Sequence, residues 1–414
     1  MKILKNLTKC RVCFSKKLIN VINFKPMPIG EDFNYLPKKN QKKYNLDVLL
    51  CRECGLTQIK QIINPKILYK KYLYQTKTSV ELKDHFKDYA KSAIKLFKRK
   101  KNTLSVLDIG SNDGSLLNFF QRENCKVIGI EPAKHIAKIA NKNNIFTINA
   151  YFNNSSVVKV KKLFETLDLI CANNVVANID NIHSLLKNVK KLLREDSIFI
   201  FETFYLLDVI NNKVFDFIYH EHLTIFSLRP VKKLCDIHNL QIIDVKRVKT
   251  KGGSIRFYIK KKSKKNKINN SLNIIKSTEK RFKIYKEETF LNLSKHIYEN
   301  KKKLAILISK MSLEGIKFVG VGASISCITL MYQLGMEKKI DLLIDDNKFK
   351  EGMYSPGNNL KIYNPKKINY KNKYIFLVLA WRFKKFFYKK YKQKFKNNLI
   401  EVWPEVKTNY KKSI

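Results

Sequence analysis

The chain has 414 residues, of which 44% are hydrophobic and 12% are aromatic, and it carries a formal net charge of +49. This apolar fraction excludes an intrinsically disordered protein and suffices for about two to three packed domains. No apolar run reaches the ~18 residues of a membrane span, and the first residues lack the apolar core of a signal peptide, so we expect a cytoplasmic protein.

The positive charge raises the question of nucleic-acid binding. Lys greatly outnumbers Arg, and Lys, Asn and Ile are frequent along the whole chain, including its loops. A nucleic-acid-binding protein usually concentrates basic residues on one face and uses Arg for bidentate contacts. We therefore interpret the charge as a compositional bias and expect no nucleic-acid partner, although a positive field favours an anionic small substrate.

Residues 1–75 contain two Cys-x-x-Cys pairs within short, irregular segments. Cys10 and Cys13 form the first pair, and Cys51 and Cys54 form the second. Each pair can bind one tetrahedral metal ion from a tight turn, and four thiolates suit zinc. A redox-active pair and four unrelated thiols are the alternatives. Because sulfur would fill every coordination position, we predict a structural zinc site in an N-terminal module.

Strands and helices alternate from Leu104 onwards, after a helical segment at residues 78–100. Five strand–helix units and two final strands predict a mostly parallel, doubly covered, seven-stranded sheet. A polar linker, one long amphipathic helix from about Ile274 to Met311 and a second, smaller α/β unit follow. The predicted domains are therefore residues 1–75, 76–264 and 265–414.

The segment VLDIGSNDG (106–114) places Asp108 at the end of a strand and Gly110 in the turn into a helix. Glycine allows a ligand to approach the backbone, and the next strand ends at Glu131, where an acidic side chain typically binds ribose hydroxyls. The turn is not GxGxxG, and Asp108 and Asp113 would repel a pyrophosphate. An acid-lined pocket favours a cationic nucleoside without phosphate, such as S-adenosylmethionine. A glycine turn without a ligand is the alternative.

Asparagines follow the fourth strand of the predicted sheet. Asn173, Asn174 and Asn178 stand at its carboxyl end, where ligands of such folds bind. For Asn178 and Asp180, capping of the following helix is an equally good interpretation.

The tetrapeptide Tyr219–His222 concentrates two imidazoles, a carboxylate and a phenol in an apolar, aromatic segment. It follows the fifth strand and should lie over the carboxyl edge of the sheet. An imidazole can remove a proton at neutral pH, a carboxylate can orient it, and a phenol can stabilise an oxyanion. These groups suit deprotonation beside a ketone, after which the carbanion attacks a sulfonium methyl group. A buried polar cluster that fixes a lid is the alternative.

With these motifs, the chain resembles the deoxysugar C-methyltransferases that act on nucleotide-linked 4-keto sugars. The similarity covers nearly the whole length. The segments YNLDVLLCRECGLTQI, YLYQTKTS, VLDIGSNDG, GIEP, NNVVANI, YHEH and KGGSIRFY occur in the family's order and at comparable spacings. GVGASISCITL and DDNKFKEGMYSPG are similar to its C-terminal domain, a second nucleotide-fold unit that helps to hold the sugar nucleotide.

The resemblance implies a class I methyltransferase fold, with an N-terminal zinc-binding module and a smaller Rossmann-like C-terminal domain. It implies S-adenosylmethionine and structural zinc as cofactors and a nucleotide-activated keto-deoxysugar as the substrate, methylated at C3. Such sugars feed surface polysaccharide or glycosylated products. We expect a monomer or a weakly associating protein.

The resemblance also implies roles for residues at matching positions. His222 would be the general base, Tyr219 and Glu221 would orient the sugar and support the enolate, and His220 is the less suitable histidine. The candidate cofactor-binding residues are Tyr74, Asp108, Gly110, Asn112, Glu131 and Asn174. The candidate substrate-binding residues are Asn178, Lys251, Gly252 and Gly253. Asn178 replaces a histidine that is frequent in the family, and an amide can hydrogen-bond but cannot titrate.

Several features leave the function open. The turn at residues 320–324 fits a packing turn as well as a phosphate cradle, and Arg256 fits an ordinary surface charge. Two rival functions are a zinc-containing RNA methyltransferase and a catalytically inactive protein that binds nucleosides or sugar nucleotides.

Overall fold

The computed structural model describes residues 3–68, 75–78, 80–97, 103–369, 373–395 and 398–409. Its N-terminal part consists of short strands and one helical turn: β1 (Leu4–Asn6), β2 (Leu18–Met27), β3 (Tyr44–Cys51), β4 (Thr57–Ile59), β5 (Gln61–Ile63) and α1 (Pro65–Leu68). Strands β2, β3 and β4 pair in antiparallel order, and β1 pairs with β5.

The central part alternates strands and helices as the sequence predicts. Its elements are α2 (Val80–Ile94), β6 (Ser105–Ile109), α3 (Ser115–Arg122), β7 (Lys126–Ile130), α4 (Lys134–Lys142), β8 (Thr147–Ile148), α5 (Asn154–Leu163), β9 (Leu169–Asn173), α6 (Ile182–Leu192), β10 (Ile198–Phe204), α7 (Leu206–Asn211), β11 (Thr224–Ile225), α8 (Leu228–Ile237), β12 (Leu240–Val248) and β13 (Ser254–Lys261). Seven of these strands form one sheet in the order β12-β13-β10-β9-β6-β7-β8. Only β13 within this sheet runs antiparallel to its neighbours, and β6 and β10 are buried along their whole length. The predicted seven-stranded, doubly covered sheet is therefore confirmed.

Strand β11 does not join this sheet. It begins two residues after His222 and pairs with β4 of the N-terminal part, with Thr224 opposite Gln58 and Ile225 opposite Thr57. The second sheet thus has the order β11-β4-β3-β2. A strand from the central part completes the sheet that carries the N-terminal cysteines.

The C-terminal part contains a smaller, mostly parallel sheet. Its elements are α9 (Ser271–Arg281), α10 (Glu287–Leu313), β14 (Lys317–Val321), α11 (Ile325–Gln333), β15 (Leu342–Ile344), β16 (Ile362–Tyr363), β17 (Tyr374–Val378), α12 (Lys384–Phe395), β18 (Leu399–Glu401) and β19 (Lys407–Thr408). The strand order is β16-β15-β14-β17-β18-β19. No helix within the described residues is long and apolar enough to cross a membrane.

The prediction of one long helix from Ile274 to Met311 is wrong, because α9 ends at Arg281 and α10 begins at Glu287. Lys283, between them, has a positive φ of 51°, which interrupts the helix. The break turns the buried Ile284 inward and lets the phenol of Tyr285 donate a hydrogen bond to Glu279 and accept one from the hydroxyl of Ser227. Burial and hydrogen bonding at these positions outweigh the helical periodicity.

All three parts contribute to one apolar core. Phe215 of the central part stacks on Phe24 of β2, and its ring meets Trp403 edge-on at a centroid distance of 4.6 Å. Buried side chains from each part belong to the same cluster. The parts are therefore packed against each other, although the domain boundaries at residues 75 and 264 stay a prediction.

Candidate active site

The four paired cysteines converge at one point. Sγ of Cys10 lies 3.5 Å from Sγ of Cys54, and Sγ of Cys13 lies 3.5 Å from Sγ of Cys51. All four sulfur atoms lie within 4.8 Å of one another, a spacing that fits ligands around one tetrahedral zinc ion. The donor set thus fits zinc and leaves no position for a substrate.

A first cavity of about 350 Å³ lies at the carboxyl end of the large sheet. The described residues that line it include five of the candidate cofactor-binding residues: Asp108, Gly110, Asn112, Glu131 and Asn174. The sixth, Tyr74, lies outside the described residues. The turns after β6, β7 and β9 meet here because parallel strands end at the same sheet edge.

The glycine turn brings the backbone close to this cavity. Gly110 has a φ of 71°, and a Cβ there would lie 2.9 Å from Cγ2 of Val175. Glu131 is fixed by backbone amides, because its carboxylate accepts hydrogen bonds from Asn112 at 3.1 Å and from Ala133 at 2.8 Å. Glycine is therefore required, and the acidic side chain is held in place.

The carboxyl groups of this cavity fit a cationic ligand. Burial raises the pKa of Asp108 and of Glu131, and the charge of Glu131 raises that of Asp108 further. Oδ1 of Asp108 is buried without a hydrogen-bond partner in the described part of the chain. A bound cation would favour the ionised forms, whereas a pyrophosphate would disfavour them. These residues fit S-adenosylmethionine.

A second cavity, of about 380 Å³, adjoins the first. Leu82, Asn174, Asn178 and Lys251 line both. The other residues used below come from all three parts of the chain: Glu31, Phe217, Tyr219, Glu221, His222, Gly322, Ser324, Ser326, Lys350 and Arg382. The candidate catalytic residues therefore face a cavity that shares a wall with the acidic cavity.

His222 is held as a neutral imidazole in one tautomer. Its Nδ1–H donates to the carbonyl oxygen of Phe217 at 2.6 Å, so Nε2 is the atom that can accept a proton. The ring lies between Phe204 and Tyr219, with centroid distances of 4.6 and 4.0 Å. Burial lowers the pKa of His222 to about 3. An unprotonated imidazole is therefore present at neutral pH.

The neighbouring His220 has a different environment. Its Nε2–H donates to the backbone oxygen of Asn45 in β3 at 3.0 Å, and burial lowers its pKa to about 4. It is absent from the described lining of both cavities. His220 therefore docks the segment onto the N-terminal sheet.

Glu221 is a buried carboxyl group. Burial and the nearby charge of Glu31 raise its pKa to about 8, and Lys350 opposes this shift. Oε1 of Glu221 has no hydrogen-bond partner among the described residues. Glu221 is therefore mostly protonated at neutral pH and can donate a hydrogen bond.

Cationic side chains on the C-terminal side of the second cavity were not identified from the sequence. Arg382 donates to Asp216 at 2.5 Å and to Ser326 at 3.1 Å, and Nζ of Lys350 lies 3.9 Å from Oε2 of Glu31. Arg382 closely follows β17, and Ser326 follows the turn after β14. Because ligands bind at the carboxyl ends of parallel strands, the position of these residues after strands of the smaller sheet could have identified them from the sequence.

The candidate substrate-binding residues differ in whether they line the cavities. Lys251 and Asn178 line both cavities, whereas Gly252 and Gly253 are not among the described lining residues. A Cβ on Gly253 would lie 2.3 Å from Cβ of Asp208, so this glycine permits close packing. The cap of α6 is Asn181, which accepts a hydrogen bond from the amide of Ser184 at 3.0 Å.

Arg256 is not a surface charge. It is 3% exposed, donates to Glu202 at 2.9 Å and lies 3.9 Å from the ring centroid of Tyr89. Strand β13 packs inside the fold. Because burying an unpaired charge is costly, the buried guanidinium of Arg256 is paired with the carboxylate of Glu202.

Comparisons with known proteins agree with this architecture. Residues 10–69 match a zinc binding domain, residues 82–245 a methyltransferase domain and residues 249–402 a C-methyltransferase C-terminal domain. The chain is 25% identical to the C-methyltransferase NovU of Streptomyces niveus over 386 residues, which cover 92% of this chain and 91% of NovU.

Solved structures with lower sequence identity match less than half of this chain. The PH0226 protein of Pyrococcus horikoshii OT3 is 14% identical, with a TM-score of 0.39, over 48% of this chain and 99% of its own. The plantazolicin methyltransferase BpumL in complex with SAH is 14% identical, with a TM-score of 0.35, over 43% of this chain and 82% of its own.

The seven-stranded sheet, the acidic cavity and the matched methyltransferase domain define an S-adenosylmethionine-dependent methyltransferase with the class I fold. Within that class, the chain is similar to a C-methyltransferase over 92% of its length, and it combines the methyltransferase domain with matches to a zinc-binding domain and to a C-methyltransferase C-terminal domain.

Proposed function

We propose that this C-methyltransferase methylates C3 of a nucleotide-linked 4-keto deoxysugar. The observation that supports this most is the shared wall between the acidic cavity and the cavity of His222, Glu221 and Tyr219. A neutral base beside a protonated acid suits the formation of an enolate, which is the nucleophile that C-methylation needs.

In this mechanism, Nε2 of His222 removes the proton from the carbon next to the ketone, and the C–H electron pair passes into the enolate. Protonated Glu221, together with Tyr219, stabilises the developing oxyanion by hydrogen bonding. The imidazolium and the enolate form together in a buried cavity, so that each charge stabilises the other. S-adenosylmethionine, when bound, supplies the electrophilic methyl group to which the enolate carbon bonds.

The C-terminal side of the second cavity supports a substrate that carries phosphate. Arg382 and Lys350 are cationic, and the cavity reaches Ser324, the N-cap of α11. A helix N-terminus binds anions through its free amides and its dipole. Gly322 has a φ of 103°, as a tight cradle requires. We assign the diphosphate of the sugar nucleotide to this turn.

Asn178 is the proposed contact to the sugar at the boundary between the cavities. Its Oδ1 is buried and has no partner in the described part of the chain. An amide oxygen left in this state is costly unless a ligand donates a hydrogen bond to it. We expect a sugar hydroxyl to do so.

The proposal is tested by incubating the protein with methyl-labelled S-adenosylmethionine and either a panel of nucleotide 4-keto deoxysugars or total RNA. We expect label in a sugar and, by NMR, a new methyl group on C3. Label in RNA would contradict the proposal in favour of an RNA methyltransferase. Cofactor binding without transfer to any sugar would indicate an inactive binding protein.

The raised pKa of Glu221 predicts an alkaline loss of activity. Below pH 8 the group is protonated and donates to the oxyanion, so kcat/KM should fall as the pH rises through about 8. Glu221→Gln keeps an N–H donor that does not titrate and should remove this decline, whereas Glu221→Ala should lower kcat by about 10²–10³-fold.

The pH dependence of kcat/KM, measured for the wild type, Glu221→Gln and Glu221→Ala, checks this prediction. Glu31, Lys350, Tyr219 and His222 face the same cavity, so Glu31→Gln serves as a control for a decline caused by a neighbour. An alkaline decline that persists unchanged in Glu221→Gln would rule out Glu221 as the titrating donor.

A further inference from the structure

The turn between Cys10 and Cys13 lies against both walls of the catalytic centre. Arg11, inside this turn, is 5% exposed. We propose that Arg11 is a positioning residue through which the zinc turn fixes the cofactor cavity and the backbone next to His222. The effect on His222 rests on the proposed function, whereas the effect on cofactor binding does not.

The first contact reaches the cofactor cavity. Nε of Arg11 donates to Oδ1 of Asp180 at 3.0 Å, and Asp180 lines that cavity together with Ile179 and Asn181. These residues form the connection between β9 and α6. Arg11 therefore holds one edge of the cofactor site from outside.

The second contact reaches the catalytic segment. Nη1 of Arg11 donates to the backbone oxygen of Leu223 at 3.3 Å and to that of Ile59 at 3.1 Å. The oxygen of Leu223 also accepts a hydrogen bond from the amide of Ile59 at 3.0 Å. Leu223 directly follows His222, so these bonds fix the backbone immediately after the residue that carries the imidazole.

The arginine itself is fixed within the zinc turn. Its backbone amide donates to Oε1 of Gln58 at 3.1 Å, and Nη1 donates to the same atom at 3.4 Å. Nε2 of His183, in α6, donates to the backbone oxygen of Val12 at 3.0 Å. A planar guanidinium can serve several acceptors in different directions at once, whereas a lysine ammonium on a flexible stem cannot hold them in one geometry.

The second cysteine pair offers a matched comparison. Arg52 occupies the same place after Cys51 that Arg11 occupies after Cys10. Its side chain is 60% exposed and forms an ion pair with Glu287, which is 51% exposed. An arginine at this position of a Cys-x-x-Cys turn therefore need not be buried, and the contacts of Arg11 are specific to the first turn.

The test compares Arg11→Lys with the control Arg52→Lys. We expect both proteins to fold and to retain one zinc ion per chain. Arg11→Lys should raise the Kd for S-adenosylmethionine about tenfold and lower kcat about tenfold, while Arg52→Lys should match the wild type in both. Metal analysis, thermal unfolding, calorimetric titration and steady-state kinetics give the readouts.

Asp180→Asn provides a second variant that leaves the zinc turn intact. It should raise the cofactor Kd to a similar degree, and adding Arg11→Lys to it should change the Kd little further, since both remove one contact. Wild-type Kd and kcat in Arg11→Lys would overturn the proposal, as would loss of zinc together with loss of cofactor binding. If no sugar is methylated even by the wild type, the Kd for S-adenosylmethionine still tests the effect of Arg11 on the cofactor cavity.

Discussion

Replacing His222 with alanine is expected to lower kcat by about 10²–10⁴-fold, the usual contribution of a general base. Affinity for S-adenosylmethionine should stay close to that of the wild type, because His222 is not among the described residues that line the first cavity. Initial rates with saturating sugar nucleotide and calorimetric titration of the cofactor measure the two effects.

Solvent deuterium exchange isolates the proton-transfer step. In D₂O, the wild-type protein should incorporate deuterium next to the ketone of the substrate, and His222→Ala should not. His220→Gln is the matched control, because glutamine can still donate to the oxygen of Asn45 and should preserve both exchange and transfer. Exchange at the wild-type rate in His222→Ala would show that another group is the base.

Removal of zinc is expected to abolish methyl transfer and to lower the thermal stability strongly. Structural zinc sites in small domains bind their metal with apparent free energies of about 10–16 kcal/mol at pH 7, and much of this supports the folded state. In this chain the dependent sheet includes β11, which begins two residues after His222. Loss of the sheet should therefore also displace the catalytic segment.

Chelation and Cys54→Ser test this expectation. Zinc content, melting temperature and activity should fall together in both cases. Cys125→Ser is the control, because this buried cysteine lies outside the cluster of four. A zinc-free protein with unchanged melting temperature and activity would contradict the structural role of the metal.

Local sequence patterns were sufficient for much of the fold. Apolar strands with helical connections predicted the seven-stranded sheet, since its strands β6 and β10 are buried on both faces. The spacing of the cysteines predicted the zinc site, because each pair binds from a single turn. Gly110 and Glu131 pointed to the first cavity, which both of them line, since a positive φ and an acidic strand end are local properties.

Other features depend on contacts between distant segments. The sequence placed His220 and His222 side by side, but only the backbone oxygens of Asn45 and Phe217 give them different roles. The ends of the smaller parallel strands could have indicated a ligand site near Arg382, but not that Arg382 and Lys350 would line the same cavity as Glu221. Lys251 reaches the cavities, while its neighbours Gly252 and Gly253 serve the turn.

The chain by itself therefore determined the folds of its parts, the spacing of its four clustered cysteines and the acidic turn of the first cavity. The tertiary structure alone decided that β11 completes the zinc-bearing sheet, and that Arg11 meets Leu223 at a separation of 212 residues. Periodicity and ligand spacing act over a few residues, so they can be read along the sequence. The second cavity forms only where three separately encoded surfaces meet, and its composition depends on how their apolar cores pack.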